Sequence, residues 1–373
     1  MHLRELKNGV RIHQITNEPL RASNLYCERN FCSNDSKRFL YARCLDEQST
    51  PMRWEFVLCE FGTWEKQPIA KGVLAVCVSY GNDYYLQRIR PNGHAEFARL
   101  ALDTGELQIV WTMAEKERVA LHPSVSPDGK LLAYHAPISF DPQRFGVFVV
   151  DLESGNEETV FEHRHVCNAH LQFHPTDNRL LMVQFNRGCE FRPDGTRSRL
   201  VGDEGATLFL LDAVSGETEP LQIGKPYTPP ITGHQAWLGT SHDIIATVAA
   251  GDEYAAKPGK GSVVTVARGK PCRQLGTGVR LVHIGSSPLG RYFHADAVDN
   301  DYVVIGSPTT GRTIVVHDAP DEPGPGDKNF GQQGHPHAYM SPDCRWVVFN
   351  SDRTGRPQTY VAELPNGFLD PLD

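Results

Sequence analysis

Two histidines one residue apart, His335 and His337, have a type and spacing that suit metal binding. In an extended strand, residues i and i+2 point to the same side, so both imidazoles are expected to face one direction. Gln332 adds an amide oxygen three residues before His335. Imidazoles with an amide oxygen and no thiolate suit Mn, Fe, Ni or Zn better than calcium. The segment therefore predicts part of a divalent-metal site.

Further histidines open segments of one recurring kind, in which a histidine precedes a short apolar run and a tight turn such as Ser126-Pro127-Asp128-Gly129. If each segment is the first strand of a repeated unit, these imidazoles converge although they lie far apart in sequence. We expect His283, His335 and His337 to bind the metal with Gln332 as the fourth ligand. The histidines that open such segments are His122, His170, His234, His283 and His337.

The repeat also predicts the fold. His122 and His170 are 48 residues apart, and His234 and His283 are 49 apart. Units of about 45 to 50 residues with four short strands are typical of β-propellers. We therefore predict an all-β, seven-bladed β-propeller forming a single domain over residues 1–373, with residues 10–16 pairing beside residues 359–362 in the last blade to close the ring. A pair of β-sandwiches or another blade count is the alternative.

Composition narrows the class of protein. The 373 residues are 40% hydrophobic and carry a net charge of −8, which argues against nucleic acid as a partner. No apolar run approaches the ~20 residues needed to span a bilayer. The charged N-terminus is unlike a signal peptide, and nine cysteines without a CxxC motif suggest reduced thiols. We expect a cytoplasmic protein without a membrane partner, as a monomer or homodimer.

The motifs together resemble the oligogalacturonate lyases, seven-bladed propeller enzymes that cleave short pectin fragments by β-elimination. The family pattern Gln-x-x-His-Pro-His before a Ser-Pro-Asp turn matches Gln332, His335 and His337, and its His-x-x-Ser segment matches His283 and Ser286. The resemblance extends over nearly the whole chain. It implies the same four metal ligands, with manganese as the first expectation and Fe, Ni or Zn as alternatives.

The same resemblance suggests the catalytic residues. Thr232 to Trp237 is similar to the strand that carries the family's base, which implies that His234 is the base. Thr207 stands where these lyases have an arginine, so Arg187 in the adjacent loop is the expected replacement; an ordinary solvated charge is its alternative role. His170, Trp237 and Arg199 are the expected substrate contacts, with packing as the alternative for His170 and Trp237.

These residue types suit elimination from an acidic oligosaccharide, the expected partner. The proton at C5 of a 4-linked uronide lies beside the carboxylate, where a cation stabilises the developing negative charge. A neutral histidine near pH 7 can accept this proton, which leads to a 4,5-unsaturated uronide. The alternatives are a metal-dependent propeller enzyme with another reaction on acidic sugars, and a non-catalytic propeller scaffold.

Overall fold

The structure is a computed structural model that contains β-strands and a short 3-10 helix, Asp370–Leu372, with no α-helix in the described ranges. Turns between strands are built around glycines such as Gly129 and Gly155, whose φ angles of +72° and +77° side chains rarely adopt. The described residues are 3–50, 52–73, 76–78, 82–90, 93–102, 104–116, 120–250, 261–297, 302–316 and 334–373.

Antiparallel sheets of four or five strands organise the described chain. Three of them, in spatial order, are β3 (Ala22–Ser23), β4 (Arg38–Asp46), β5 (Arg53–Glu60), β6 (Lys66–Gly72); β7 (Val76–Val78), β8 (Asp83–Ile89), β9 (His94–Ala101), β10 (Leu107–Lys116); and β11 (Leu121–Val125), β12 (Leu131–Phe140), β13 (Gln143–Asp151), β14 (Glu157–His163).

Two further sheets lie toward the C-terminus, and one of them also contains the first two strands. They are β25 (Leu281–Ser286), β26 (Phe293–Ala297), β27 (Val303–Gly306), β28 (Thr313–Val315); and β1 (Leu3–Glu5), β2 (Arg11–Gln14), β31 (Gln358–Glu363), β30 (Trp346–Ser351), β29 (Tyr339–Met340).

The remaining large sheet has eight strands, and a single residue pair, Ala206 with Ile231, connects its two halves. Its strands are β15 (Gln172–His174), β16 (Asp177–Asn186), β19 (Ala206–Asp212), β20 (Thr218–Pro220), β21 (Ile231–Trp237), β22 (Asp243–Val248), β23 (Val263–Ala267) and β24 (Arg273–Leu275); β17 (Glu190–Phe191) and β18 (Arg197–Arg199) form a separate hairpin.

This arrangement is a β-propeller, which confirms the predicted fold class. Five blade-like sheets are separate within the described ranges. The predicted number of seven blades stays a prediction, because the two halves of the eight-stranded sheet are joined at the pair of Ala206 and Ile231.

The chain divides into two compact units, and each unit has its own hydrophobic clusters. The predicted single domain stays a prediction. Unit 1 comprises Met1–Leu74, His234–Thr265 and Gln274–Asp373, and unit 2 comprises Ala75–Gly233 and Val266–Arg273. In unit 1, one core packs Val347 and Phe349 against Ile305, and a second surrounds Phe293. In unit 2, cores form around Phe173 and around Tyr134.

The N-terminal strand joins the sheet of the C-terminal strands, as the sequence predicted. Arg11 to Gln14 pair in antiparallel register with Tyr360 to Glu363. Glu363 is buried in this seam, where it accepts hydrogen bonds from Arg11 at 2.6 Å, Arg345 at 2.8 Å and His13 at 3.2 Å. Burial acts to raise the pKa of Glu363, but the Arg345 and His13 hydrogen bonds and the Arg11 charge outweigh it and lower the pKa.

We expect Glu363→Gln to reduce the free energy of unfolding by about 2 kcal/mol at pH 7, since hydrogen bonds to a charged acceptor are lost. A carboxyl with a lowered folded pKa stabilises the fold above its unfolded pKa and loses that contribution as the pH falls through the folded value. The variant should therefore lose less stability below pH 4.5 than the wild type. Urea unfolding across pH measures this, with the exposed Glu5→Gln in the same sheet as control. If the free energy of unfolding of both variants fell equally at acid pH, Glu363 would not contribute this pH-dependent stability.

Two observations bear on the compositional expectations. In the described ranges, no helix is long and apolar enough to cross a membrane. Eight cysteines with described side chains are free, and six of these are buried.

Candidate active site

A repeated turn places the candidate histidines. In three of the blades that carry a candidate histidine, a serine hydroxyl accepts the backbone N–H of the residue five positions later: Ser126 from Leu131 at 2.9 Å, Ser287 from Tyr292 at 3.0 Å, and Ser341 from Trp346 at 3.0 Å. The histidine four residues before each serine has a positive φ, and His170 shares this conformation. The φ angles are 42° for His122 and His170, 40° for His283 and 44° for His337.

The expectation that His335 and His337 lie in one extended strand is wrong. The strand begins only at Tyr339, and His337 has a left-handed backbone. Two side chains, rather than a neighbouring strand, bind the backbone of His337. Asn24 Nδ2 donates to the His337 carbonyl at 2.8 Å, and the His337 N–H donates to Asp296 Oδ2 at 3.1 Å. The two imidazoles are therefore brought together by contacts from distant segments rather than by strand alternation.

Four histidines of unit 1 nevertheless gather at one place. The ring centroid of His283 lies 4.1 Å from that of His337, 4.9 Å from that of His335 and 4.3 Å from that of His234. The rings of His335 and His337 are 5.9 Å apart. His283 and His337 are buried, His234 is 9% exposed, and His335 is exposed. The predicted convergence of imidazoles is present here, with one ring open to solvent.

Asp296, on the strand beside His283, orders this cluster. Its Oδ2 accepts the Nδ1–H of His283 at 2.9 Å as well as the His337 amide. This leaves Nε2 of His283 as the nitrogen with a free lone pair. Asp296 is 2% exposed, and its Oδ1 has no hydrogen-bond partner within the described part of the chain. A carboxylate that orients a histidine through Nδ1 is the usual support of a metal-ligating imidazole.

The donor set therefore fits a divalent transition metal in its chemistry. In the described ranges, however, no group of three or more His, Cys, Asp or Glu side chains has an arrangement that could hold a metal ion. The predicted fourth ligand, Gln332, lies outside the described residues. The ligand assignment of His283, His335, His337 and Gln332 accordingly stays a prediction.

His234, the predicted base, lies in β21 directly after Gly233, whose φ is +97°. Its Nδ1 is 3.1 Å from the hydroxyl of Tyr26. The Tyr26 ring also packs against His337, with centroids 5.0 Å apart. Burial raises the pKa of Tyr26 well above its usual value, and the charges of Glu28, Cys27 and Asp296 add to this, so the phenol stays protonated near neutral pH. The Tyr26 hydroxyl thus orients the His234 ring through Nδ1.

Arg187, the expected replacement for the family arginine, binds backbone in unit 2. Its guanidinium donates to the carbonyl oxygens of Glu204 at 2.7 Å, Gly205 at 2.9 Å and Lys225 at 2.9 Å. Thr207 donates its hydroxyl to the Ile223 carbonyl at 2.5 Å. These bonds order the loop that follows β16. They favour a structural role for Arg187, and its catalytic role stays a prediction.

The three expected substrate contacts have different environments. Trp237 is only 4% exposed, which favours packing over stacking on a sugar. Arg199 is exposed in β18, where it donates to Glu190 at 2.6 Å and to the Gly188 carbonyl at 3.1 Å. His170 is 6% exposed, and its ring lies 4.1 Å from that of His122.

Sequence reasoning missed two residues of the site, Asp296 and Tyr26. Asp296 had a detectable signal, because it is a lone carboxylate within the apolar run Phe293–Ala297, and buried carboxylates are rare unless they are paired. Tyr26 had none: it lies outside the repeat and reaches His234 from 208 residues away in sequence.

Comparisons with known proteins support the fold. No protein-family model matches the chain, and no curated protein matches it in sequence. Its structure is similar to that of an oligogalacturonate lyase from Vibrio parahaemolyticus, with 15% identity and a TM-score of 0.71 over 99% of this chain and 98% of that one. An oligogalacturonate lyase in complex with manganese gives 15% identity and a TM-score of 0.71, over 98% and 96% of the two chains.

A third structure, an uncharacterized protein from Listeria monocytogenes EGD-e, has 11% identity and a TM-score of 0.51, over 89% of this chain and 91% of that one. These similarities agree with the assignment of the chain to the β-propeller fold. The resemblance to oligogalacturonate lyases that the sequence motifs suggested is confirmed for the fold across nearly the whole chain.

Proposed function

We propose that this chain is a metal-dependent lyase that cleaves short oligosaccharides containing uronic acid by β-elimination. The observation that carries the proposal is the gathering of His234, His283, His335 and His337 around Asp296 in unit 1. The fold shared with an oligogalacturonate lyase in complex with manganese supports both the reaction and the metal. An acidic oligosaccharide would be the partner, and a cytoplasmic location fits the free cysteines.

His283, His335, His337 and Gln332 are the residues that would hold the metal. A divalent metal there would neutralise charge on the substrate carboxylate and so favour loss of the neighbouring C5 proton. Asp296 keeps the Nδ1 proton on His283 and thereby presents Nε2. His234 would accept the C5 proton at Nε2, which requires its Nδ1–H to donate to the Tyr26 hydroxyl oxygen.

A second candidate is a metal-dependent propeller enzyme with a different reaction on acidic sugars. The observation that favours it is the absence of the family arginine at Thr207, together with the use of all three Arg187 nitrogens on carbonyl groups. Without that cation, less positive charge is available to stabilise the carbanion of an elimination.

The test combines metal content with product formation. We expect the purified protein to bind about one Mn per chain and to convert digalacturonate to an unsaturated product that absorbs in the ultraviolet. His335→Ala should lose most of the metal and at least tenfold in rate, because it removes a proposed ligand and even loss of a residue that supports a ligand costs about 10–100-fold. Bound metal without unsaturated product would favour the second candidate. Neither metal nor product would leave a non-catalytic scaffold.

A further inference from the structure

A second histidine pair in unit 2 repeats the backbone device of the candidate metal site. His122 and His170 have φ angles of 42°, close to those of His283 and His337, and their ring centroids are also 4.1 Å apart. Left-handed backbone in a residue other than glycine costs about 1–3 kcal/mol and persists mostly at functional sites. The repetition of this strained conformation therefore suggests that the second pair also binds a ligand.

The two pairs differ at one position of the neighbouring strand. In unit 1 that position is Asp296, and in unit 2 the equivalent residue in the strand register is His135, whose ring is 5.1 Å from that of His122. His135 Nε2 donates to the Cys167 carbonyl at 3.3 Å, and burial lowers its pKa to about 3. A neutral imidazole has thus replaced the carboxylate.

With a histidine in place of the aspartate, the hydrogen-bonding role of Nδ1 in the first histidine of the pair is reversed. His283 uses Nδ1 as a donor to Asp296, whereas His122 Nδ1 accepts the His170 backbone N–H at 3.3 Å. Burial lowers the pKa of His122 well below its usual value, and the nearby His170 and His135 lower it further, so the ring is neutral. A neutral ring that accepts at Nδ1 carries its proton on Nε2. His122 then offers an N–H group, not a lone pair, to a ligand.

We propose that His122 and His170 form a ligand site in unit 2 that binds an oxygen acceptor of a sugar, a carboxylate or a hydroxyl group, and not a metal ion. His122 is partly exposed as a residue, while the His170 backbone N–H donates to its Nδ1 and holds the ring in place. That the acceptor belongs to an acidic sugar rests on the proposed function. The prediction that His122 donates a hydrogen bond to its ligand does not rest on the proposed function, because it follows from the hydrogen bond that His122 Nδ1 accepts.

The experiment is a long-range proton–nitrogen NMR titration of histidine rings in metal-depleted protein, which cannot turn substrate over. We expect His122 to show the Nε2–H tautomer and its ring signals to shift saturably with digalacturonate. Titration with neutral galactobiose decides whether the carboxylate is the acceptor or a hydroxyl suffices. His122→Asn, which tolerates the left-handed backbone, should weaken binding about tenfold, as loss of one hydrogen bond does. His163→Gln, in the same unit, is the control.

An Nδ1–H tautomer at His122, binding of added Zn²⁺ at its ring, or signals that neither sugar moves would each overturn the proposal. The tautomer is read in the wild-type protein, so the test stands even if a variant fails to fold. Sugar binding at His122, together with no lyase activity in the metal-loaded protein, would leave this site intact and sink the proposed function. Lyase activity with unmoved His122 signals would do the reverse.

Discussion

His234→Ala should reduce turnover of digalacturonate by about 10³-fold, within the range that a general base contributes, while leaving the metal content unchanged. The reason is the position of His234: its ring lies 4.3 Å from that of His283, but its Nδ1 faces the hydroxyl of Tyr26. It is thus beside the proposed ligands and oriented by a residue other than Asp296. The measurement is the initial rate of ultraviolet-absorbing product, with elemental analysis of the same sample.

His242→Ala is the matched control, because His242 is exposed in the same blade and should leave the rate as it is. Loss of metal together with activity in His234→Ala would make His234 a ligand instead of the base. A rate within threefold of the wild type would remove His234 from the chemistry altogether.

The parts of the fold that sequence predicted are those encoded locally. The Ser-Pro-Asp turns appear in the sequence because a serine hydroxyl and a nearby aspartate close each turn within a few residues, as Ser126 Oγ does with Asp128 at 2.6 Å. The closing strand was also predicted, from the strand pattern of residues 10–16. The structure pairs Arg11–Gln14 with the last strand.

The sequence predicted only those site residues that belong to the repeated segments. Histidines at equivalent repeat positions were expected to converge, and His283 and His337 do so. The expected strand conformation at His337 was wrong, because the backbone there depends on Asn24, 313 residues away, and on Asp296, 41 residues away. Arg187 shows the same limit: its guanidinium binds three carbonyls whose direction only the folded loop defines.

Asp296→Asn should lower metal affinity about 10–100-fold, the usual effect of removing a carboxylate that supports a metal-ligating histidine. An amide at this position can still accept one hydrogen bond, yet it cannot provide the negative charge that favours donation from His283 Nδ1. Because the same oxygen accepts the His337 amide, both proposed ligands should shift together. Dialysis against graded chelator, followed by elemental analysis, measures the affinity.

Asp343→Asn provides the comparison, since Asp343 accepts its hydrogen bond from Ser341, in the turn that follows His337. It should retain metal as the wild type does. Thermal unfolding of both metal-free variants separates loss of affinity from loss of fold. If Asp296→Asn holds metal as tightly as Asp343→Asn, then Asp296 serves the backbone at His337 alone, and the tautomer of His283 is set in some other way.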